Sequence, residues 1–287
     1  MTDDILTQIH NKRPSLSKGQ RKIADYILES YEKAAFMTAL ALGKTVQVSE
    51  STVVRFACEL GYDGYPQMQK TLQAMVRSRL TAVQRIEVLI PAVSEDDLLR
   101  GILQADMERI RKSMDLTDTG IFYKAVDALA DAGRIYVVGL RSSAALASFL
   151  GYYLNYMFDH VTVITQGSES DIYDQIIHMR PSDAMIGISF PRYSTATVKS
   201  MGYARQLGAT TVALTDGDDS PLVNQAEYTL KAKSDMISLV DSLVAPMSMV
   251  NALLVALAAR KEKALQSTLS QLETVWEQNH VYEKLHE

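Results

Sequence analysis

Between residues 4 and 114 the apolar positions recur every three or four residues, the period of helices that bury one face. Ser17 is placed to cap a helix through Tyr31, and residues 64–80 form another. After Pro91 a run from Glu95 to Ser113 carries Leu98, Leu99, Ile102, Leu103, Met107 and Ile110 at helical spacing. From Arg134 onward the pattern changes to short apolar runs. IYVVGL (135–140), VTVIT (161–165), AMIGISF (184–190) and TVALTD (211–216) read as buried strands with helical segments between them. A last strand, YTLKA (228–232), follows the turn at Asp219, Ser220 and Pro221, and helices over 239–261 and 264–277 close the chain. The pattern predicts an all-α domain followed by a three-layer α/β/α domain on a mainly parallel five-stranded sheet. The expected boundaries are 1–80 for the helical domain, 81–115 for a helical linker, 116–263 for the α/β domain and 264–287 for a C-terminal helix and tail.

Within the helical half, residues 38–65 (TALALGKTVQVSESTVVRFACELGYDGY) place cap, short helix, tight turn and second helix in the order used to present a helix to DNA. Thr38 caps a first helix to about Lys44, and Ser49 caps a second one. Val53, Phe56, Ala57 and Leu60 fall on one face of that second helix, and Gly61 ends it in a left-handed conformation. Burying that stripe leaves Ser51, Thr52, Arg55 and Glu59 facing outward, with Arg55 the long charged reader. Lys44, Ser49, Ser51, Thr52 and Arg55 form the expected DNA-facing set. Two short helices joined by a tight turn also occur in all-α domains that bind no DNA.

Composition changes this picture little. The 287 residues suffice for two cores, and 47% apolar with 22% charged residues is ordinary for a globular chain. The net charge is −5, but residues 1–77 hold ten basic against eight acidic side chains, so the helical end is the less acidic one. Without a deep basic stripe, specificity and dimerisation must supply DNA affinity. Cys58 is the only cysteine, which excludes an intrachain disulfide and reads as a small packing residue. The opening MTDDILTQIH lacks a basic n-region and an apolar h-region, and the apolar run at 250–259 is too short to span a bilayer, so a cytoplasmic location is expected.

In an open parallel sheet, ligands bind beyond the carboxyl ends of the strands, where helix N-termini favour anions. Two such ends combine an arginine with hydroxyls: Gly139, Arg141, Ser142 and Ser143 after the first strand, and Ser189, Arg192, Ser194 and Thr195 after the third. Guanidinium groups pair bidentately with phosphate or carboxylate, so a small anionic ligand is expected there. The plainer use of such hydroxyls is helix capping, and the arginines could brace the loops against Asp171 or Asp216.

Both halves resemble one family. The run VSESTVVRFACELGYDGYPQMQ is similar to the helix-turn-helix domain of RpiR/MurR-type bacterial regulators, and residues from about 120 to 260 resemble the sugar-isomerase (SIS) domain fused to it. The segment TDGDDSPLVNQAE (215–227) and the loop at 139–143 carry the rest of the likeness. The resemblance implies a DNA-binding regulator whose effector is a sugar phosphate or a related carbohydrate derivative. The small, weakly basic reading face predicts binding to double-stranded DNA at an inverted-repeat operator as a homodimer or tetramer, and no cofactor is expected. The ligand loops depart from the SIS pattern. In the first loop, G-x-G-x-S, Arg141 replaces the second glycine. In the second, S-x-S-G-x-T, Pro191, Arg192 and Ser194 replace Ser, Gly and Thr. This points to guanidinium groups rather than a backbone nest as the anion's partners, and keeps a carboxylate ligand open. Aldose–ketose isomerisation is the alternative. It needs a placed general base, and none of the five histidines occupies such a position. Glu169 and Asp171 face the ligand side and read as partners for ligand hydroxyls. Neither metal-ligand spacing nor a phosphate-loop signature is present.

Overall fold

The computed structural model describes residues 5–79, 98–234 and 240–283. The chain separates into two compact units, residues 1–98 with 236–240, and residues 99–235 with 241–287. The expected linker falls partly on residues 80–97, and the expected helix start at 239 also lies outside the described residues.

The first unit is helical throughout: α1 (Ile5–Lys12), α2 (Lys18–Glu29), α3 (Tyr31–Ala34), α4 (Ala39–Val46), α5 (Glu50–Glu59) and α6 (Tyr65–Arg79). Ser17 and Gln20 cap each other's backbone amides at the start of α2, which ends at Glu29 rather than Tyr31 because Ser30 leaves helical geometry at φ −142°. One core joins Ile9, Ile23, Ile27, Leu42, Val53, Phe56, Met68 and Leu72. Side chains of α6 donate to carbonyls in the segment that follows α3. Tyr65 Oη donates to Met37 O at 2.8 Å, Gln69 Nε2 to the same oxygen at 2.7 Å, and Gln73 Nε2 to Ala35 O at 2.9 Å. Burial pushes the Tyr65 phenol up to about 12, so it stays a donor at any physiological pH.

The second unit opens with α7 (Leu98–Leu116) and α8 (Thr119–Ala130), then alternates β1 (Ile135–Gly139), α9 (Ala144–Leu154), β2 (Val161–Ile164), α10 (Glu169–Ile176), β3 (Ala184–Ile188), α11 (Thr195–Gln206), β4 (Thr210–Thr215) and β5 (Tyr228–Lys231). α12 (Val244–Arg260) and α13 (Glu262–Gln278) complete it. All four strand pairings are parallel, in the order β2-β1-β3-β4-β5, with Gly139 opposite Ile188. The near-continuous burial of β1 and β3 follows from helices on both faces. α8, α9 and α12 cover one face through Leu129, Leu146, Leu150 and Val250, and α10 and α11 the other through Ile172, Ile176 and Met201. No single helix among the described residues is long and apolar enough to cross a membrane.

The apolar run on α7 is not buried by its own domain: the helix buries only Arg109 and Ser113, while Leu99, Leu103, Met107 and Met114 are each more than half exposed. Helical periodicity reveals an apolar face but not whether that face meets its own domain.

Candidate functional site

The helix-turn-helix forms as the sequence predicts, with two differences in detail. Thr38 caps α4 by accepting from Ala41 N at 3.1 Å, and Gln47 turns the chain at φ 57°. Val48 N donates back to Gly43 O at 2.8 Å, which fixes the turn tightly on α4. Ser49 takes the N-cap position of α5, but its hydroxyl meets Ser51 Oγ and Thr52 Oγ1, each at 2.9 Å, instead of a backbone amide. The first turn of α5 therefore has no side-chain cap from Ser49, the arrangement in which a helix N-terminus can receive a phosphate. Val53, Phe56, Ala57 and Leu60 are buried and Gly61 follows at φ 94°, both as expected. Cys58 is exposed, so the packing role expected for it is not the one it has.

On the outward face of α5, Ser51 and Arg55 are exposed and Thr52 is half-buried; Lys44 and Ser49 are exposed beside them. Arg55 Nε folds back on Ser51 O at 3.3 Å, a weak bond that a base edge could replace. The far end of the helix is pinned: Gln8 Nε2 donates to Leu60 O at 2.6 Å, and Lys12 Nζ to Glu59 O. A helix clamped at its C-terminus and open at its N-terminus presents a rigid leading end to a groove. If Arg55 reads a base, Arg55→Ala should weaken binding to the specific duplex by about 1–3 kcal/mol and cost less on random DNA. Gel shifts with equal losses on both duplexes would reassign it to the phosphate backbone.

The second candidate site is set by topology. β1 and β3 are neighbours, yet α9, which follows β1, lies on one face of the sheet, and α11, which follows β3, on the other. Chain directions diverge there and open the crevice in which parallel sheets bind ligands. Both arginine-bearing loops border it. At the first, a single 3-10 turn of Arg141–Ser143 leads into α9, with Ser143 buried and Arg141 and Ser142 exposed. Gly139 is required by close approach: a Cβ there would stand 2.7 Å from Ser143 O and 2.8 Å from Ala147 Cβ. At the second, Ser189 Oγ accepts from Ser194 N at 3.0 Å, and Ser194 Oγ caps α11 through Thr197 N at 3.3 Å. Thr195 is exposed at the head of that helix. Ser189 and Ser194 thus brace the loop, and each accepting hydroxyl retains a proton to donate.

Arg141 and Arg192 adopt left-handed backbone, at φ 58° and 67°. These are the two positions where arginine replaces a glycine of the SIS pattern, and each costs about 1–2 kcal/mol relative to right-handed backbone. The left-handed backbone of the glycine pattern persists at both positions, and each adds a cation to it. Neither arginine has an ion pair among the described residues, and the acids expected to brace them are engaged elsewhere. Asp171 Oδ2 accepts from Ser168 N at 2.7 Å in a capping box, which holds its carboxyl below the usual range. Asp216 Oδ1 accepts from Tyr193 Oη at 2.8 Å. Burial first, and the Asp216 charge second, raise the Tyr193 phenol far above its ordinary value, so it remains a donor. Glu169 pairs with Lys199 at 3.0 Å. Glu169 and Asp171, expected as partners for ligand hydroxyls, thus meet Lys199 and the Ser168 amide in this structure. Sequence reading gave Tyr193 no role, and it offered Asp216 only as a brace for the arginines. Thr215 Oγ1 donates to Ser189 O at 2.8 Å and ties the β4 end to the ligand loop.

Comparison with known proteins agrees with both halves. A family model for a helix-turn-helix domain of the rpiR family matches residues 3–78, and a SIS-domain model matches residues 128–256. An uncharacterised HTH-type transcriptional regulator of Haemophilus influenzae is 28% identical over 282 residues, covering 93% of this chain and 97% of that one. The sugar isomerase domain of an RpiR transcription factor from Sphaerobacter thermophilus is 32% identical with a TM-score of 0.59, covering 62% of this chain and 99% of that one. The Vibrio vulnificus NanR protein, solved with ManNAc-6P, has a TM-score of 0.58 at 21% identity, covering 94% and 97%. The chain belongs to the RpiR family of helix-turn-helix transcriptional regulators that carry a SIS domain.

Proposed function

We propose that the SIS domain binds a small anionic metabolite, a sugar phosphate, between residues 139–143 and 189–195, and that occupancy changes operator affinity. The observation that carries this reading is the pair of exposed arginines, held in left-handed backbone at the switch point without an ion pair among the described residues. Gly139, Ser142, Ser143, Ser189, Ser194 and Thr195 supply neutral contacts. The sugar phosphate in the NanR structure supports the ligand class. The domain acts by binding rather than by isomerisation, since Glu169 is spent on Lys199 and Asp171 on its cap. A ligand shifts an equilibrium only through unequal affinity for its two states, so effector and operator must each favour one arrangement. A thermal-shift screen of sugar phosphates against sugar acids tests the ligand class: a melting rise with phosphates supports this reading, and a rise with acids alone transfers the site to a carboxylate. Absence of duplex binding at low salt, on genomic fragments from the native neighbourhood, would overturn the regulator reading.

The working assembly is a cytoplasmic homodimer on an inverted repeat. Its support is the outward stripe of α7, beside which α7, α8 and α12 line a cavity of about 400 Å³ with Ile110, Met114, Phe122, Met249 and Ala252. A stripe of this kind, left outward by its own domain, is suited to an isologous contact with a second copy. Light scattering should show no folded monomer at micromolar concentration, and Met107→Glu should release one. A clean wild-type monomer would contradict the two-half-site arrangement.

A further inference from the structure

We propose that Lys233 is a positioning residue that couples the effector loop to α7, the helix joined through residues 80–97 to the DNA-binding half; the inference rests on the effector site placed above. The observations form a continuous run of directional contacts. Tyr193, next to Arg192, donates its hydroxyl to Asp216 Oδ1 at 2.8 Å. Lys233 Nζ donates to the backbone oxygen of the same Asp216 at 3.1 Å. The Lys233 amide donates to Ser113 Oγ at 2.8 Å, and Ser113 Oγ donates to Arg109 O at 2.7 Å within α7. Lys233 therefore holds the end of β4 with its side chain and α7 with its backbone. Lys231, two residues earlier, pairs with Asp218 at 2.6 Å, so the loop after β4 is held twice from the β5 end.

The seat of α7 is suited to such a role because it is polar. Its two buried residues are Arg109 and Ser113. Arg109 Nη1 pairs with Asp106 Oδ1 at 3.1 Å, and Asp106 in turn accepts from Ser242 Oγ at 2.6 Å. Arg109 Nε is buried with no hydrogen-bond partner among the described residues. Hydrogen bonds exchange for water at small net cost, whereas interdigitated apolar faces do not, and an orphaned buried donor leaves this seat short of full satisfaction. An anion that moves the Arg192–Tyr193 backbone changes how Tyr193 meets Asp216, and Lys233 passes that displacement to Ser113.

A double-mutant cycle read by hydrogen–deuterium exchange of residues 106–116 in the full-length protein tests this without an identified effector. Tyr193→Phe should speed exchange there by about threefold or more in the wild-type background and add nothing in Lys233→Met. Lys233→Arg, which keeps a donor for the Asp216 oxygen, should restore the Tyr193→Phe effect. Unchanged exchange in Tyr193→Phe, or equal acceleration in both backgrounds, overturns the proposal, because a merely structural lysine gives additive effects. If Lys233→Met does not fold, Ser113→Ala replaces it in the cycle by removing the acceptor on α7. Inorganic phosphate against chloride at matched ionic strength, read at residues 189–195, tests the anion site by itself. Lost protection there strikes the site reading while the cycle decides the coupling.

Discussion

Replacing Gly43 with valine is expected to abolish operator binding while the SIS half keeps its fold. A Cβ at Gly43 would stand 2.9 Å from Val48 O and 3.5 Å from Glu50 N, so the turn and the head of α5 lie directly on this position of α4. Both close atoms are backbone and cannot rotate away. In an open helical position, glycine to alanine stabilises by about 0.5–1 kcal/mol. At Gly43 overpacking reverses the sign, with alanine costing about 1–3 kcal/mol and valine more. Gly101 in α7 is the control, because an added Cβ there has nothing within 4 Å and should give the ordinary gain. Urea unfolding of the N-terminal half and gel shifts on the specific duplex measure both effects. Wild-type DNA affinity in Gly43→Val would show that α4–α5 packing does not position the reading helix.

The elements of this fold were legible because each follows from a local pattern. Four- to six-residue apolar runs became β1 to β5, and the cap at Thr38, the stripe on α5 and the stop at Gly61 delivered the helix-turn-helix. Local pattern does not say which neighbour a face meets. On α7 the stripe from Leu99 to Met114 points outward, and the helix is seated by Asp106, Arg109 and Ser113, residues whose polarity gives no periodic signal of burial. At Glu169 and Asp171 the first-turn position was read correctly, but Lys199 and the Ser168 cap claim the carboxylates, and the Lys199 contact spans 30 residues. Tyr193, Asp216 and Lys233 meet only after three strands align, so no spacing rule could join them. Arg141 and Arg192 were visible as departures from a glycine pattern, while the left-handed backbone they retain is a property of the folded loop.

That retained backbone separates the two roles of each arginine. Arg192→Gly should raise stability by about 1 kcal/mol, because glycine occupies φ 67° without the Cβ penalty, and at the same time remove the cation. Arg192→Ala removes the cation and keeps the strain. If the guanidinium holds the effector's anion, both variants should lose about 1.5–3 kcal/mol of effector affinity, roughly ten- to 150-fold, whatever their melting temperatures do. Arg141→Gly should behave in parallel, since its φ of 58° and exposed side chain match those of Arg192. Ser143→Ala should weaken the response through a lost hydroxyl contact alone. DNA affinity without effector should stay near wild type in all of them, because the changes lie outside the reading helix. Thermal shift with the ligand found in the screen, followed by gel shifts with and without it, measures each quantity separately. A glycine variant that gains stability and still responds fully to effector would mean that these cations face solvent without function, and the sensor site would have to be sought away from the β1–β3 crevice.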